Sequence, residues 1–157
     1  MVCRHFLSTK GDEIPDFNTV TVANDAQELH IARLRLNQPE KLNAISSTMP
    51  GDIRNAVAWA EAEDEVHVFI VEGEGWAFFA GYDLNEYAEV VGPDKITSDH
   101  PCGHEKTTWD PMVDYTLIKR HTEEFMSLRR CTKPTIAKVH GYAVAGSSDI
   151  AYAATCW

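Results

Sequence analysis

Val66-His67-Val68-Phe69-Ile70-Val71 is the stretch on which the fold turns. Apolar residues fall on both faces of its two-residue period, the pattern of a fully buried strand in a parallel sheet. Just upstream, Ile53, Val57 and Ala60 recur at helical spacing and predict a helix of about four turns. Ser46 or Ser47 can cap that helix, and Pro50 suits its first turn. Before the helix lie two alternating runs. In LHIARLRL (29–36), Ala32, Leu34 and Leu36 share one face and Arg33 and Arg35 the other; in NTVTVA (18–23), Val20 and Val22 share a face. With Asn24-Asp25 between them, the runs predict an antiparallel pair with one solvated face. Strand, helix, strand is the order of an α/β domain.

Downstream, residues 83–89 read as a short helix. The stretch from about 91 to 112 contains Gly92-Pro93, Pro101, Gly103 and Pro111 and carries neither hydrophobic period. It predicts an irregular inserted loop over a pocket mouth. A second long helix is expected over about 114–131, with Leu117, Ile118, His121, Phe125 and Leu128 as its inner stripe. Arg129 and Arg130 suit its C-terminal dipole, and Lys133-Pro134 ends it. TIAKVH (135–140) is a further short strand, and Gly141 opens a turn into a final helix beginning near Gly146. Residues 1–17 read as a tail before a domain running from 18 to 157.

Composition narrows the function. The chain has 157 residues, 44% of them hydrophobic and 24% charged, as in one soluble globular domain. A formal charge of -10 argues against nucleic acid or an anionic membrane surface as the main partner. It leaves a small anionic ligand open, because a helix N-terminus or a few local cations suffice. Cys3, Cys102, Cys131 and Cys156 form no CxxC pair and read as free thiols in a reducing compartment. The N-terminus lacks an apolar signal core, and no apolar run is long enough to cross a bilayer. The expectation is a cytoplasmic protein.

Two segments place small residues where a strand leads into a helix. They are Gly75-Trp76-Ala77-Phe78-Phe79-Ala80-Gly81-Tyr82-Asp83-Leu84 and His140-Gly141-Tyr142-Ala143-Val144-Ala145-Gly146-Ser147-Ser148-Asp149. Helix starts leave backbone N–H groups unpaired, and two of them converging on one carbonyl oxygen make an oxyanion hole. Glycine corners are common in α/β folds, so spacing alone favours ordinary tight turns. Trp76, Phe78 and Phe79 are expected in the core. His100, Cys102 and His104, beside Asp99 and Glu105, match no closed metal motif and read as a solvated loop, so no metal is expected. Ser147-Ser148 lacks a nucleophile-elbow pattern, and Gly73-x-Gly75 is no dinucleotide or phosphate fingerprint.

Taken in order, LRLNQPEKLNAI, FFAGYDL and KPTIAKVHGYAVAGSSDIA resemble the crotonase (enoyl-CoA hydratase/isomerase) family. The resemblance implies an α/β crotonase-like spiral of ββα units, incomplete at the C-terminus, and an acyl-CoA thioester as ligand. It gives Tyr82 and Gly146 the role of backbone donors that polarise the thioester carbonyl. Ala80, Tyr82, Asp83, Leu84, Asn85 and Gly146 would line the ligand, and Lys41 and Leu42 would touch its CoA portion. The implied reaction is hydration of a 2-enoyl-CoA in fatty acid metabolism. The alternatives are isomerisation, thioester hydrolysis, decarboxylation, or a catalytically incomplete fragment that binds acyl-CoA. Coenzyme A enters only with the substrate, no separate cofactor is implied, and full-length relatives of this kind form trimers or hexamers.

Asp149 stands where the family's first catalytic glutamate belongs. The second belongs about twenty residues further on, beyond Trp157. The glycine trio reads Ala145-Gly146-Ser147, and the chain closes on Ala154-Thr155-Cys156-Trp157, where the family has an acidic residue and further apolar ones. An acid in a helix's first turn is also favourable through the dipole alone, which is the competing reading of Asp149. The resemblance therefore implies a pattern cut short, with Ile150 and Tyr152 lacking packing partners and with little or no hydration by these 157 residues.

Overall fold

The computed structural model describes residues 14–25, 28–86 and 111–154. β1 (Val20–Asn24) pairs antiparallel with β2 (Ile31–Leu36), Val20 opposite Leu36 and Asn24 opposite Ala32. β3 (Val68–Gly73) lies parallel to β2, and β4 (Thr135–Lys138) parallel to β3, so the strand order is β1-β2-β3-β4. Parallel neighbours need a crossover. α1 (Met49–Ala62) makes the first, and α2 (Pro111–Arg130) lies in the second. α3 (Gly146–Ala153) follows β4. α1 packs on β1 and β2, α2 on α1, and α3 on α2.

The core forms between one sheet face and these helices. Ala32, Leu34, Leu36, Phe69, Val71 and Ala137 come from the strands, and Ile53, Val57, Phe125, Leu128 and Ile150 from the helices. The alternation in β1 and β2 is as the sequence predicts, because a one-residue slip would turn the leucines outward and the arginines in.

β3 departs from the expectation of burial on both faces. Phe69 and Val71 are buried, but Val68 and Ile70 are half-buried. Among the described residues the outer face is covered by an ion network and not by a layer of helices. Glu72 accepts hydrogen bonds from Arg35 Nε (2.6 Å), Lys138 Nζ (3.1 Å) and Arg33 Nη1 (3.2 Å), and Arg33 Nε also bonds Asp25 (2.5 Å). The register sets Ile70 between Arg33 and Ile136. Aliphatic stems and a branched neighbour shield it there without a second helical layer.

Three helix expectations change. The residue before α1 is Thr48, not Ser46 or Ser47, and no side chain caps the helix. The Ser47 N–H donates instead to Glu86 Oε1 (2.9 Å), and Asp52 of the first turn accepts from the Thr19 N–H and hydroxyl. α2 begins at Pro111, which serves as a helix-starting proline and not as a loop breaker. Its buried stripe starts at His121 and continues through Phe125 and Leu128, whereas Ile118 is 57% exposed. Of the short helix expected at 83–89, residues 84–86 are helical, Asp83 stands just before them, and 87–89 lie outside the described residues. Positions 91–110 of the expected loop also lie outside them.

Candidate active site

Beyond β3 the chain turns at Gly75 and runs back as a narrow ribbon over residues 78–83. One edge bonds the segment after β4: the Phe78 N–H donates to His140 O (2.9 Å), Phe79 N–H to Tyr142 O (3.0 Å), and Val144 N–H to Phe79 O (3.3 Å). On the other edge, the Ile45 N–H donates to Gly81 O (2.7 Å) and the Asp83 N–H to Ile45 O (3.0 Å). Fully buried Phe78 and Phe79 anchor the ribbon in the core as expected. Trp76 does not follow them. It is 61% exposed and meets Tyr142 edge-on at 5.1 Å, because it sits on the turn before the ribbon enters the core.

The two glycine corners named from the sequence are thereby set side by side. At Gly81, φ is +92°, and a Cβ there would stand 3.2 Å from Val144 O and 3.4 Å from Ala145 Cβ. A Cβ on Gly146 would stand 3.0 Å from Tyr82 Cε2 and 3.1 Å from Ile45 Cδ1. Gly81 needs glycine for its positive φ, and at Gly146 the lack of a Cβ lets Tyr82 and Ile45 approach closely. Ala145, between the corners, takes φ +53° and ψ -126°, a region that disfavours a Cβ.

A cavity of about 520 Å³ opens beside the ribbon. Lys41, Ala80, Tyr82, Asp83, Leu84 and Asn85, all named from the sequence, line it together with Glu40, Ala44 and Glu86. Leu42, Gly146 and Asp149 are not among its lining residues. Leu42, at φ +53°, closes the single 3-10 turn Pro39–Lys41, its N–H donating to Pro39 O (3.1 Å). Asp149 lies exposed in the first turn of α3.

Asp83 holds the cavity wall in place. Its Oδ1 accepts from the N–H groups of Asn85 (3.1 Å) and Glu86 (3.3 Å), capping the helix that starts at Leu84. Its Oδ2 pairs with Lys41 Nζ at 2.9 Å. The Lys41 ammonium, with these N–H donors, holds the Asp83 carboxyl below the usual carboxylate range, and Asp83 in turn raises Lys41.

Two residues that shape the candidate site escaped the sequence reading. Asn43, fully buried at φ +56°, donates Nδ2 hydrogen bonds to Glu74 O and Ala77 O (both 2.9 Å), and its Oδ1 accepts from the Gln38 N–H (3.0 Å). It ties the turn that carries Lys41 to the start of the ribbon. The residue type, an asparagine that tolerates a left-handed backbone, was the available signal. The second is the Tyr82 side chain, known from the sequence only for its N–H. Its ring lies against Gly146 and stacks on buried His121, with centroids 6.1 Å apart and planes 17° apart. Burial pushes the Tyr82 phenol up, and the Asp149 carboxylate adds to the shift. Burial, with the neighbouring Arg120, pushes His121 down.

Ile150 is fully buried, contrary to the expectation that it lacks packing partners, whereas Tyr152 is 70% exposed. Among the described residues no three His, Cys, Asp or Glu side chains gather as a metal site, and no helix is long and apolar enough to cross a membrane. His100, Cys102 and His104 lie outside the described residues.

Comparison with known proteins agrees with this geometry. Residues 26–156 match the family described as enoyl-CoA hydratase/isomerase. A probable enoyl-CoA hydratase of Mycobacterium tuberculosis is 34% identical over 125 residues, covering 80% of this chain and 41% of the relative. The mitochondrial Delta(3,5)-Delta(2,4)-dienoyl-CoA isomerase of Rattus norvegicus is 25% identical over 141 residues, covering 88% of this chain and 40% of the relative. A crystal structure of enoyl-CoA hydratase from Mycobacterium smegmatis superposes with a TM-score of 0.71 at 36% identity, covering 92% of this chain and 47% of that one. An enoyl-CoA hydratase/isomerase from Xanthobacter autotrophicus Py2 gives 0.72 at 28% identity, covering 89% and 45%. The chain thus spans less than half the length of each of these relatives. With three ordered motifs, a crotonase-type α/β core and paired glycine corners, the chain belongs to the enoyl-CoA hydratase/isomerase family.

Proposed function

We propose that the chain binds an acyl-CoA thioester and adds water to the double bond of a 2-enoyl-CoA. The observation that carries this reading is the bonding of the 78–83 ribbon to residues 140–144, which brings two helix starts together. In the reading, the Tyr82 and Gly146 N–H groups share the thioester oxygen and stabilise the enolate. One such donor is worth about 3 kcal/mol of barrier. Asp149, one helical turn after Gly146, takes the proton from water. The acyl-CoA lies along Ala80, Asp83, Leu84 and Asn85 of the cavity wall, with Lys41 at its CoA end and Leu42 beside Lys41 outside the cavity lining. No cofactor beyond the CoA of the substrate is needed, and neither nucleic acid nor membrane takes part. The setting is cytoplasmic fatty acid metabolism, with assembly into trimers or hexamers at full length.

Double-bond isomerisation is the second reading, favoured by the likeness to the dienoyl-CoA isomerase. It uses the same enolate and differs in where the proton returns. Crotonyl-CoA hydration, followed by loss of enoyl absorbance, separates the two readings when run beside conversion of a 3-enoyl-CoA. Asp149→Asn should lower hydration at least about a hundredfold while leaving crotonyl-CoA binding intact. Full turnover in that variant, or no acyl-CoA binding by the wild-type chain, would sink the hydratase reading. A faster 3-enoyl-CoA reaction would favour isomerisation.

A further inference from the structure

We propose that Ile45 is a positioning residue that holds the two backbone donors of the site in register with each other. The inference rests on the reading above, in which the Tyr82 and Gly146 N–H groups share the thioester oxygen, and it deepens that reading.

Ile45 reaches the two donors by different means. Its main chain brackets Tyr82: the Ile45 N–H donates to Gly81 O (2.7 Å), and its carbonyl accepts from the Asp83 N–H (3.0 Å). This is the bonding of a parallel bridge between Ile45 and Tyr82, in which the bracketed residue turns its own N–H and C=O to the opposite edge. The opposite edge is the one that Phe79 gives to Tyr142 and Val144, just before Gly146. The Ile45 side chain reaches the second donor. A Cβ on Gly146 would stand 3.1 Å from Ile45 Cδ1, so the end of the isoleucine lies against the first residue of α3. One residue thus fixes the peptide of one donor and supports the other.

Ile45 is fully buried and is not among the cavity's lining residues, so it acts through the donors and not on the ligand. A close-packed side chain passes small displacements on to its neighbours instead of absorbing them. Removing its terminal methyl leaves a void beside Gly146, into which the start of α3 can move while the ribbon stays bonded to Ile45. Two donors that must meet one oxygen lose alignment in that way, and a shared oxyanion site is sensitive to it.

The test uses the whole 157-residue chain and two ligands. Butyryl-CoA binding is measured by calorimetry. Acetoacetyl-CoA reports donor alignment: its methylene loses a proton to solvent, the charge moves onto the carbonyl oxygens, and donors aimed at the thioester oxygen raise the enolate absorbance of the bound ligand. In wild type the bound ligand is expected to be more ionised than the free one. Ile45→Val deletes only Cδ1 and keeps the main-chain bonds. It should lower the ratio of bound enolate to bound keto form at least about tenfold, at unchanged butyryl-CoA Kd. Ile53→Val deletes the same methyl from an equally buried residue of α1 and should leave the ratio as in wild type. Gly146→Ala should lower the ratio less in the Ile45→Val background than in wild type, because the methyl it would meet is gone. A wild-type ratio in Ile45→Val, equal losses in Ile45→Val and Ile53→Val, or the same Gly146→Ala effect in both backgrounds overturns the inference and leaves the acyl-CoA reading standing. So does an Ile45→Val loss of butyryl-CoA affinity as large as its loss of enolate, and so does wild-type binding without added ionisation. Absence of butyryl-CoA binding by wild type overturns the acyl-CoA reading itself, and this inference with it.

Discussion

Ala145 carries a methyl group where the backbone asks for none. Its φ of +53° with ψ of -126° costs on the order of 1–3 kcal/mol for a residue with a Cβ, and it sits between the two glycine corners of the site. Ala145→Gly should therefore stabilise the fold by roughly 1 kcal/mol, strain relief outweighing the added freedom of the unfolded chain. Urea denaturation would show it as a higher midpoint at unchanged slope, and a lower midpoint would mean that the strain is not there. Asp83 makes a different residue-scale prediction. Lys41 and the capped N–H groups depress its folded pKa, so its stabilising contribution is present above the unfolded value of about 4 and fades as pH falls through the lower folded value. Lys41, with its pKa raised, holds its share below its unfolded value near 10 and loses it as pH rises through the folded one. The stability gap between wild type and Asp83→Asn should hence be widest between about pH 5 and pH 9 and shrink in acid. A gap independent of pH would mean that the carboxylate charge plays no part. The cap was not read from the sequence, which placed Asp83 inside the short helix at 83–89 and not ahead of it. Nor was its ion-pair partner, 42 residues away.

At the scale of elements, the site depends on loops tied to one another more than on strand ends. Asn43 is the principal tie, with amide hydrogens on Glu74 O and Ala77 O and its carbonyl on the Gln38 N–H. Asn43→Ala would leave these buried groups unpaired and should cost about 3 kcal/mol. Asn43→Asp should cost about as much, because a carboxylate cannot donate to those carbonyls. A loss well under 1 kcal/mol in chemical denaturation would show that water replaces the amide. Strand and helix positions were readable here because burial on one side imposes a period on the chain. The start of α1 was not, because Ser47 spends its N–H on Glu86, 39 residues away, and Thr48 takes the cap position instead. Ile118 misled for a related reason. It lies on the right helical stripe, but the part of α2 that carries it is exposed.

Across the whole molecule, the sheet has one apolar face and one face built from charge. Burial alone would raise the Glu72 carboxyl; hydrogen bonds from Arg35 and Lys138, with the charges of Lys138 and Arg33, outweigh it and hold the group below the usual carboxylate range. Three strands, β2, β3 and β4, are thus linked through one carboxylate. Glu72→Gln should cost about 2 kcal/mol, less than a fully buried pair because Arg35 and Lys138 reach solvent. Arg35→Ala should cost less in the Glu72→Gln background than in wild type, and strict additivity in that double-mutant cycle would argue against a network.

The sequence by itself determined the α/β class, the faces of β1 and β2, the glycine corners and the family. Each of these rests on a local period, a turn that admits only small residues, or an ordered set of motifs. Only the tertiary structure decided which side of β3 is dry, which residues hold the cavity wall, and that the Tyr82 ring lies between Gly146 and His121. Those outcomes depend on pairings between residues far apart along the chain, such as Glu72 with Arg35 and Asn43 with Ala77. A contact of that kind leaves no period behind it, because neither partner constrains its own neighbours in sequence.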